Sequence, residues 1–280
     1  MNLLRIICIS FLILGCSKTP VDENIDPDPE KETLIKTMTY NIWGARSGGI
    51  PDLEEIAAVI RRYDPDLVAL QEVDKFTDRN SKHGDVAKEL AKLTDMDFYF
   101  AKAINVQGGE YGDAVLSKLP IKEKKAYNLG VTPELGGEIR SVARITVEKE
   151  DKEFYFISTH FDHLVDEANR LKQAKDFIQI LKGFDKPVIV GADFNARPDT
   201  ETIKILRQHL ILGCLNANCS QYTFPTPNSY NTEPDRTIDY LMYAPLDAIS
   251  VKSYSVYTWA DRESDHFPVV ATFNILGNKP

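Results

Sequence analysis

The sequence predicts an α/β fold in which two packed β-sheets are covered on their outer faces by helices. Three observations carry that expectation: short, wholly apolar runs of strand length recur along the chain, amphipathic helical stretches occur in both halves, and strand candidates occupy both ends. No segment repeats at a fixed period, which argues against a solenoid.

Ile35 to Trp43 is a β-rich run that carries Asn41 near its end. After a Gly-rich loop, Leu53, Ile56, Val59 and Ile60 recur at helical spacing and predict a helix over Asp52 to Tyr63, stopped by Asp64-Pro65. Leu67 to Leu70 is apolar throughout, as a strand buried on both faces must be, so Gln71 and Glu72 are expected at a strand end. A second helix is expected over Val86 to Leu93, then strands at Phe98 to Ala103, Ala114 to Ser117, Ile121 to Asn128, Ser141 to Glu148 and Glu153 to Thr159. The charged Lys149 to Lys152 reads as a hairpin turn. Leu171, Ala174, Phe177, Ile178 and Leu181 form one face of a helix over Asp166 to Leu181, and Pro187 to Val190 is a buried strand leading into Asp193-Phe194-Asn195. Past a helix near Glu201 to Gln208 and a loop rich in Asn, Pro and Thr, strands are expected at Thr237 to Tyr243, Ile249 to Val256 and Phe267 to Phe273.

These elements, over residues 34–276, fit one domain, because no linker interrupts them. With 43% hydrophobic and 27% charged residues, the body is neither a disordered chain nor a membrane bundle. The N-terminus differs. Arg5, an apolar run from Ile6 to Leu14, Gly15 and Cys16 read as a signal peptide over residues 1–16, since the run is shorter than the roughly 20 residues a membrane span needs. Its ending resembles a bacterial lipobox with Cys16 as the acylated residue, which implies a lipid-anchored protein of the cell envelope; an ordinary secretory signal is the alternative. Residues 17–33, rich in Asp and Glu with three prolines, are expected to form a solvated tether. Of the remaining cysteines, Cys214 and Cys219 are close enough for a small-loop disulfide in an oxidising compartment; two unpaired thiols are the alternative. The net charge of −9 leaves no basic footprint, so nucleic acid is a possible but not a favoured partner. A monomer is expected.

The residues able to do chemistry recur at one kind of place, the end of an apolar strand: Asn41, Glu72, His160, Asp193 with Asn195, Asp239 within a strand, and Asp265-His266 before the last one. If those ends share one side of the fold, they converge on a cleft equipped for metal-assisted hydrolysis. The flanking words are Thr39-Tyr40-Asn41-Ile42-Trp43, Leu70-Gln71-Glu72-Val73-Asp74, Ser158-Thr159-His160-Phe161, Gly191-Ala192-Asp193-Phe194-Asn195, Ile238-Asp239-Tyr240 and Ser264-Asp265-His266-Phe267-Pro268. Together, in that order, they resemble the endonuclease/exonuclease/phosphatase superfamily, the group of deoxyribonuclease I-like nucleases, sphingomyelinases and inositol phosphatases. The likeness spans Thr37 to Phe273 and implies a four-layer α-β-β-α sandwich of two mainly antiparallel sheets.

The resemblance further implies a role for each position. Glu72 looks like the main metal ligand, with Asn41 beside it and Asp265 contributing directly or through water. Mg2+ suits such oxygen donors, with Mn2+ as a possible substitute. His266 resembles the histidine that contacts the scissile phosphate or takes the water proton, and Asp239 the carboxylate that orients it. Asp193 would position the water and Asn195 donate a hydrogen bond to the phosphorane. His160 matches a second histidine, a general acid or phosphate contact. Glu110 stands where relatives place a carboxylate or tyrosine on the opposite side of the cleft, and Arg140 is a candidate phosphate clamp. His163 is a further candidate, and Tyr222 to Pro227 and Trp259 are candidate cleft linings.

Taken singly, these words have plainer readings. Asp193-Phe194-Asn195 could be a helix N-cap, Asp265-His266 a turn into a strand, and Arg140, Glu110 and His163 surface groups. Asp239 resists dismissal, because an acid between Ile238 and Tyr240 is costly unless paired. His160-Phe161-Asp162-His163 resembles half of a zinc-hydrolase signature, but Ser158 stands where its first histidine belongs. The sequence therefore predicts a metal-dependent hydrolase of phosphate esters acting on a lipid head group or small phosphorylated molecule. A secreted nuclease and a noncatalytic binding module on the same scaffold are the alternatives.

Overall fold

In the computed structural model, residues 32–47, 50–214 and 219–276 are described. The signal segment 1–16 with Cys16 and most of the expected tether lie outside them. Thr33, assigned above to the tether, is the first residue of β1.

The strands are β1 (Thr33–Asn41), β2 (Arg46–Ser47), β3 (Ile50–Pro51), β4 (Leu67–Lys75), β5 (Asp97–Val106), β6 (Gly109–Ser117), β7 (Ile121–Leu129), β8 (Arg140–Lys149), β9 (Lys152–His160), β10 (Val188–Asp193), β11 (Ile211–Leu212), β12 (Asp239–Ala244), β13 (Ile249–Val256) and β14 (Val269–Ile275). The helices are α1 (Leu53–Tyr63), α2 (Val86–Thr94), α3 (Ala168–Leu181), α4 (Glu201–Leu206) and α5 (Pro227–Tyr230). One six-stranded sheet runs β13-β14-β1-β4-β6-β5 and the other β11-β12-β10-β9-β8-β7. Each contains one parallel pair, β1 with β4 and β9 with β10, and is otherwise antiparallel.

Alternation of side chains sorts each strand between layers. Ile35, Leu67, Val115, Phe156, Ile189, Leu241 and Phe273 meet between the sheets. Met38, Tyr40, Val68 and Leu70 face α1 and α2, while Ile157, Val190 and Tyr240 pack with Phe177 of α3 and Ile203 of α4. The four-layer sandwich expected from the sequence is thus present. Gly191 sits where the sheets approach closely: a Cβ there would fall 2.6 Å from Ala69 Cβ and 2.9 Å from Thr39 Cβ.

Local chemistry explains the helix limits. Asp52 caps α1 by accepting from the Glu54 and Glu55 amides, and Asp64 ends it in the left-handed region, so α1 begins one residue after the expected start. In α3 the expected apolar face holds only for its second half. Its first turns bury Asn169, Arg170 and Gln173, while Leu171 is only half-buried, because that end binds loops through hydrogen bonds rather than a sheet through apolar contact. Glu150 and Asp151, both at positive φ, form the tight β8–β9 turn expected at Lys149 to Lys152.

Candidate active site

The two parallel pairs end on the same side of the sandwich, and their last inward-facing residues meet there. In β1, Asn41 shares the inward phase of Ile35; in β9, His160 shares that of Phe156; in β10, Asp193 follows Ile189; in β12, Asp239 precedes Leu241. Asn41 Nδ2 donates to Asp193 Oδ2 at 3.0 Å and to Glu72 Oε1 at 3.1 Å. His266 Nδ1 lies 2.9 Å from Asp239 Oδ2, and its Nε2 lies 3.7 Å from Asp193 Oδ2. His160 Nε2 stands 3.4 Å from the same Asp193 oxygen, and the Asn195 amide donates to Asp193 Oδ1 at 2.8 Å. Six segments distant in sequence therefore close around Asp193, at the floor of a cleft of about 440 Å³.

Glu72 reaches that cleft by an irregularity. Leu70 faces the helices, and two residues further along an unbroken strand Glu72 would too. Instead β4 continues to Lys75 through a bulge between Leu70 and Val73, with Glu72 at φ 58°, so the carboxylate turns inward. The expected strand end is this bulge. Gln71 secures it: its amide accepts from Thr39 Oγ1 and donates to Ser158 Oγ at 2.9 Å, bridging the sheets. A left-handed glutamate costs on the order of 1 kcal/mol. Glu72→Gly is therefore expected to raise the melting temperature by roughly 2–4 °C while abolishing activity. A thermal melt showing destabilisation would mean that the bulge carries no such strain.

Buried charge sets the protonation states. Burial opposes a charged imidazole at His266, but the carboxylates of Asp239, Asp193 and Asp265 outweigh it and lift its pKa to about 10. Burial, reinforced by Asp239, pushes Asp193 up to about 7 against the influence of His266. His160 moves the other way: burial, then the positive charge of Arg140, holds it well below 6.5, so it is neutral. Arg140 can only donate, so His160 Nδ1, 3.1 Å from Arg140 Nη1, accepts, and Nε2 carries the proton toward Asp193. The Asn195 Nδ2 group donates to Phe161 O at 3.1 Å and lies 2.8 Å from His160 Nε2.

Arg140 lines the cleft at 2% exposure, and its Nε has no partner. Glu110 does not reach the site: it sits in the outward phase of β6 and pairs with Lys75 and Lys102 at 3.3 and 3.2 Å. The next residue, Tyr111, faces inward, lines the cleft and approaches Arg140 Nη1 through its hydroxyl at 3.4 Å. Trp259 stacks under Arg62 outside the cleft lining, whereas Phe224, within the segment expected to line it, lies 4.7 Å from His266, ring to ring. Arg79, held by Asp74 through two 2.8 Å contacts, Glu138 and Tyr230 also line the cleft and were not singled out from the sequence. The Asp74-to-Arg79 spacing was the available signal for the first. Cys214 and Cys219, which are not part of this lining, are joined by a disulfide with Cα atoms 5.3 Å apart.

Asp193, Asp239 and His266 place ligand-type atoms within 4.8 Å of one another; His266 Nδ1 is paired with Asp239 Oδ2, whereas Asp239 Oδ1 has no partner. Asn41 turns its amide nitrogen, not its oxygen, toward Glu72, and its Oδ1 accepts from the Trp43 amide at 3.0 Å. In this arrangement Asn41 links two acids. Glu72 and Asp265 fit a cation better. Burial and then the negative charges of Glu72 and Asp239 raise Asp265 to about 6 against His266, a repulsion that a hard divalent ion held by carboxylate oxygens relieves.

A model of the Endonuclease/Exonuclease/phosphatase family matches residues 38–266. No curated protein sequence matches the chain. Among solved structures, an endonuclease/exonuclease/phosphatase family protein from Bacteroides thetaiotaomicron aligns with TM-score 0.68 and 20% identity over 88% of this chain and 99% of its own. A second, from Beutenbergia cavernae, gives 0.69 and 24% over 88% and 72%. A mannosyl-6-phosphatase from Bacteroides thetaiotaomicron gives 0.66 and 21% over 85% and 99%. With the family model running from β1 to His266 and including every strand-end residue of the cleft, the chain belongs to the Endonuclease/Exonuclease/phosphatase family.

Proposed function

We propose that the protein hydrolyses phosphate esters with a bound divalent cation, Mg2+ by preference and Mn2+ as a substitute. Members of the family are generally divalent-metal dependent. The observation that carries this reading is one cleft holding two carboxylates suited to a hard cation, Glu72 and Asp265, together with the buried Arg140 guanidinium. Bound there, the cation supplies Lewis-acid stabilisation of charge on the phosphoryl oxygens.

The other roles follow from protonation. Asp193, with a pKa near neutrality, accepts the proton of the attacking water. His266, cationic at neutral pH, donates Nε2–H to a phosphate oxygen while Asp239 holds Nδ1. Arg140 and Asn195 bind the remaining oxygens. His160, being neutral, orients Arg140 and is unsuited to act as a general acid.

Small phosphate esters are favoured over nucleic acid, because the chain is acidic and the cleft walls carry Glu138. A panel of p-nitrophenyl phosphate, bis-p-nitrophenyl phosphate, sugar and inositol phosphates, sphingomyelin and plasmid DNA, each with Mg2+, Mn2+ or EDTA, tests the assignment. Turnover of a small ester that EDTA abolishes is expected; robust turnover in EDTA refutes it. The protein is further proposed to act at the cell envelope as a monomer held by acylated Cys16. Incorporation of labelled palmitate that survives Cys16→Ser removes that anchor.

A further inference from the structure

Arg140 divides the cleft into two regions. The inner edge of its guanidinium, Nη1, meets His160 and the Tyr111 hydroxyl, beside Asp193 and Asn195. Its outer edge, Nη2, meets Glu138 at 3.0 Å and His163 Nδ1 at 3.2 Å. Glu138 and His163 therefore stand a guanidinium's width further out than His160, where the alcohol part of a bound ester must lie.

Their chemistry is complementary. Glu138, about one third exposed, offers acceptor oxygens only. His163 accepts from Arg140 through Nδ1, which leaves Nε2–H as a donor. A hydroxyl is both donor and acceptor, and neighbouring hydroxyls on one carbon frame can satisfy both groups. A second phosphate placed there meets the Glu138 charge, and an alkyl chain leaves both groups unpaired. The same cleft carries the rings of Trp43, Phe224 and Tyr230, with Tyr230 6.4 Å from Trp43 and 5.7 Å from Phe224, surfaces suited to the C–H faces of a ring alcohol.

This wall is held rigidly. Asp162 accepts from the Glu138 amide at 2.8 Å and the Leu164 amide at 2.9 Å. Gln173 of α3 accepts from the Asp162 amide and donates to the Glu138 carbonyl, and Asn169 donates to the Gly136 carbonyl. Gly137, at φ 91°, fits only as glycine, because a Cβ would fall 2.3 Å from Asp162 Oδ2 and 2.4 Å from Asn169 Nδ2. The polar first turns of α3 thus fasten the two loops that bring Glu138 and His163 to the cleft, and groups fixed in advance select ligands without an ordering cost.

We propose that the enzyme selects phosphate esters of polyhydroxylated alcohols, such as hexoses and inositols, whose hydroxyls are read by Glu138 and His163. The proposal rests on the phosphoester-hydrolase reading above. The test is kcat/KM, with Mg2+, for a hexose 6-phosphate, an inositol monophosphate and p-nitrophenyl phosphate, on the wild type and on Glu138→Gln, Glu138→Ala and His163→Ala. The better polyol ester is expected to exceed p-nitrophenyl phosphate by at least about tenfold. Each alanine variant should reduce that ratio by about tenfold or more, chiefly through KM, with Glu138→Gln intermediate because it keeps one acceptor oxygen. Circular dichroism melts establish that each variant is folded, and the glutamine variant carries the test if an alanine variant is not. No preference in the wild type, or equal losses on all substrates in the variants, overturns the proposal, the latter because it shows that the two residues only support Arg140. Absence of turnover on every ester overturns the hydrolase reading itself.

Discussion

Replacing His266 by alanine is expected to lower kcat/KM at neutral pH by at least about a hundredfold, because it removes the cation that meets charge developing on the phosphoryl group. A finer test separates this role from that of a base. The carboxylates around His266, Asp239 foremost, hold its pKa near 10, above the ordinary 6.5, so the imidazolium is present at neutral pH and is lost as pH rises through the raised value. Activity that depends on the cation has its alkaline limb near that pH. Asp239→Asn keeps the shape and removes the nearest negative charge, leaving burial to lower the pKa, so the limb should move by at least about one pH unit toward neutrality. The pair also stabilises the fold by an amount fully present below pH 6.5 and lost as pH climbs toward 10. A pH profile with an unmoved alkaline limb in Asp239→Asn would remove His266 from this role.

Arg140→Ala should lower kcat/KM by about a thousandfold, and Arg140→Lys by about a hundredfold, since an ammonium cannot hold His160, Tyr111, Glu138 and His163 together and still offer the further N–H that the guanidinium keeps at Nε for phosphate. Stability should respond differently. The guanidinium is 2% exposed and its Nε lacks a partner, but the cost of burying its charge is offset by the nearby negative charges of Glu138 and Glu72, which hold its pKa above the ordinary value. Arg140→Met fills the same space without either the burial cost or the attraction and should melt near the wild-type temperature while remaining inactive. Near wild-type activity in Arg140→Lys would show that Arg140 does not grip phosphate. A large fall in melting temperature with Met would show instead that its bonds to Glu138, His160 and His163 hold the fold together.

The two predictions draw on different kinds of legibility. That Asn41, His160, Asp193 and Asp239 belong to one cleft could be read from residue order, because each follows or opens an apolar strand in the phase that faces the other sheet. Glu72 could be named but not placed: it shares its phase with Leu70, and only the bulge brings it inward. The motif points to Glu110 while the fold presents Tyr111, because a motif identifies a neighbourhood, whereas one step along a strand reverses the direction of the side chain. Glu138 and Arg79 lie close in sequence to their partners Arg140 and Asp74, but nothing local to either segment shows that the pair faces the cleft, which the fold alone decides.

By itself, the sequence determined the two-sheet sandwich, its covering helices and the strand-end residues of the cleft, because apolar period and strand length are local properties written into each segment. The tertiary structure decided which carboxylates turn toward the cleft, that Asn41 links acids, and that His266 is cationic while His160 is neutral. Those outcomes depend on desolvation and on charges a few ångströms away, contributed by residues up to 225 positions apart, as Asn41 and His266 are.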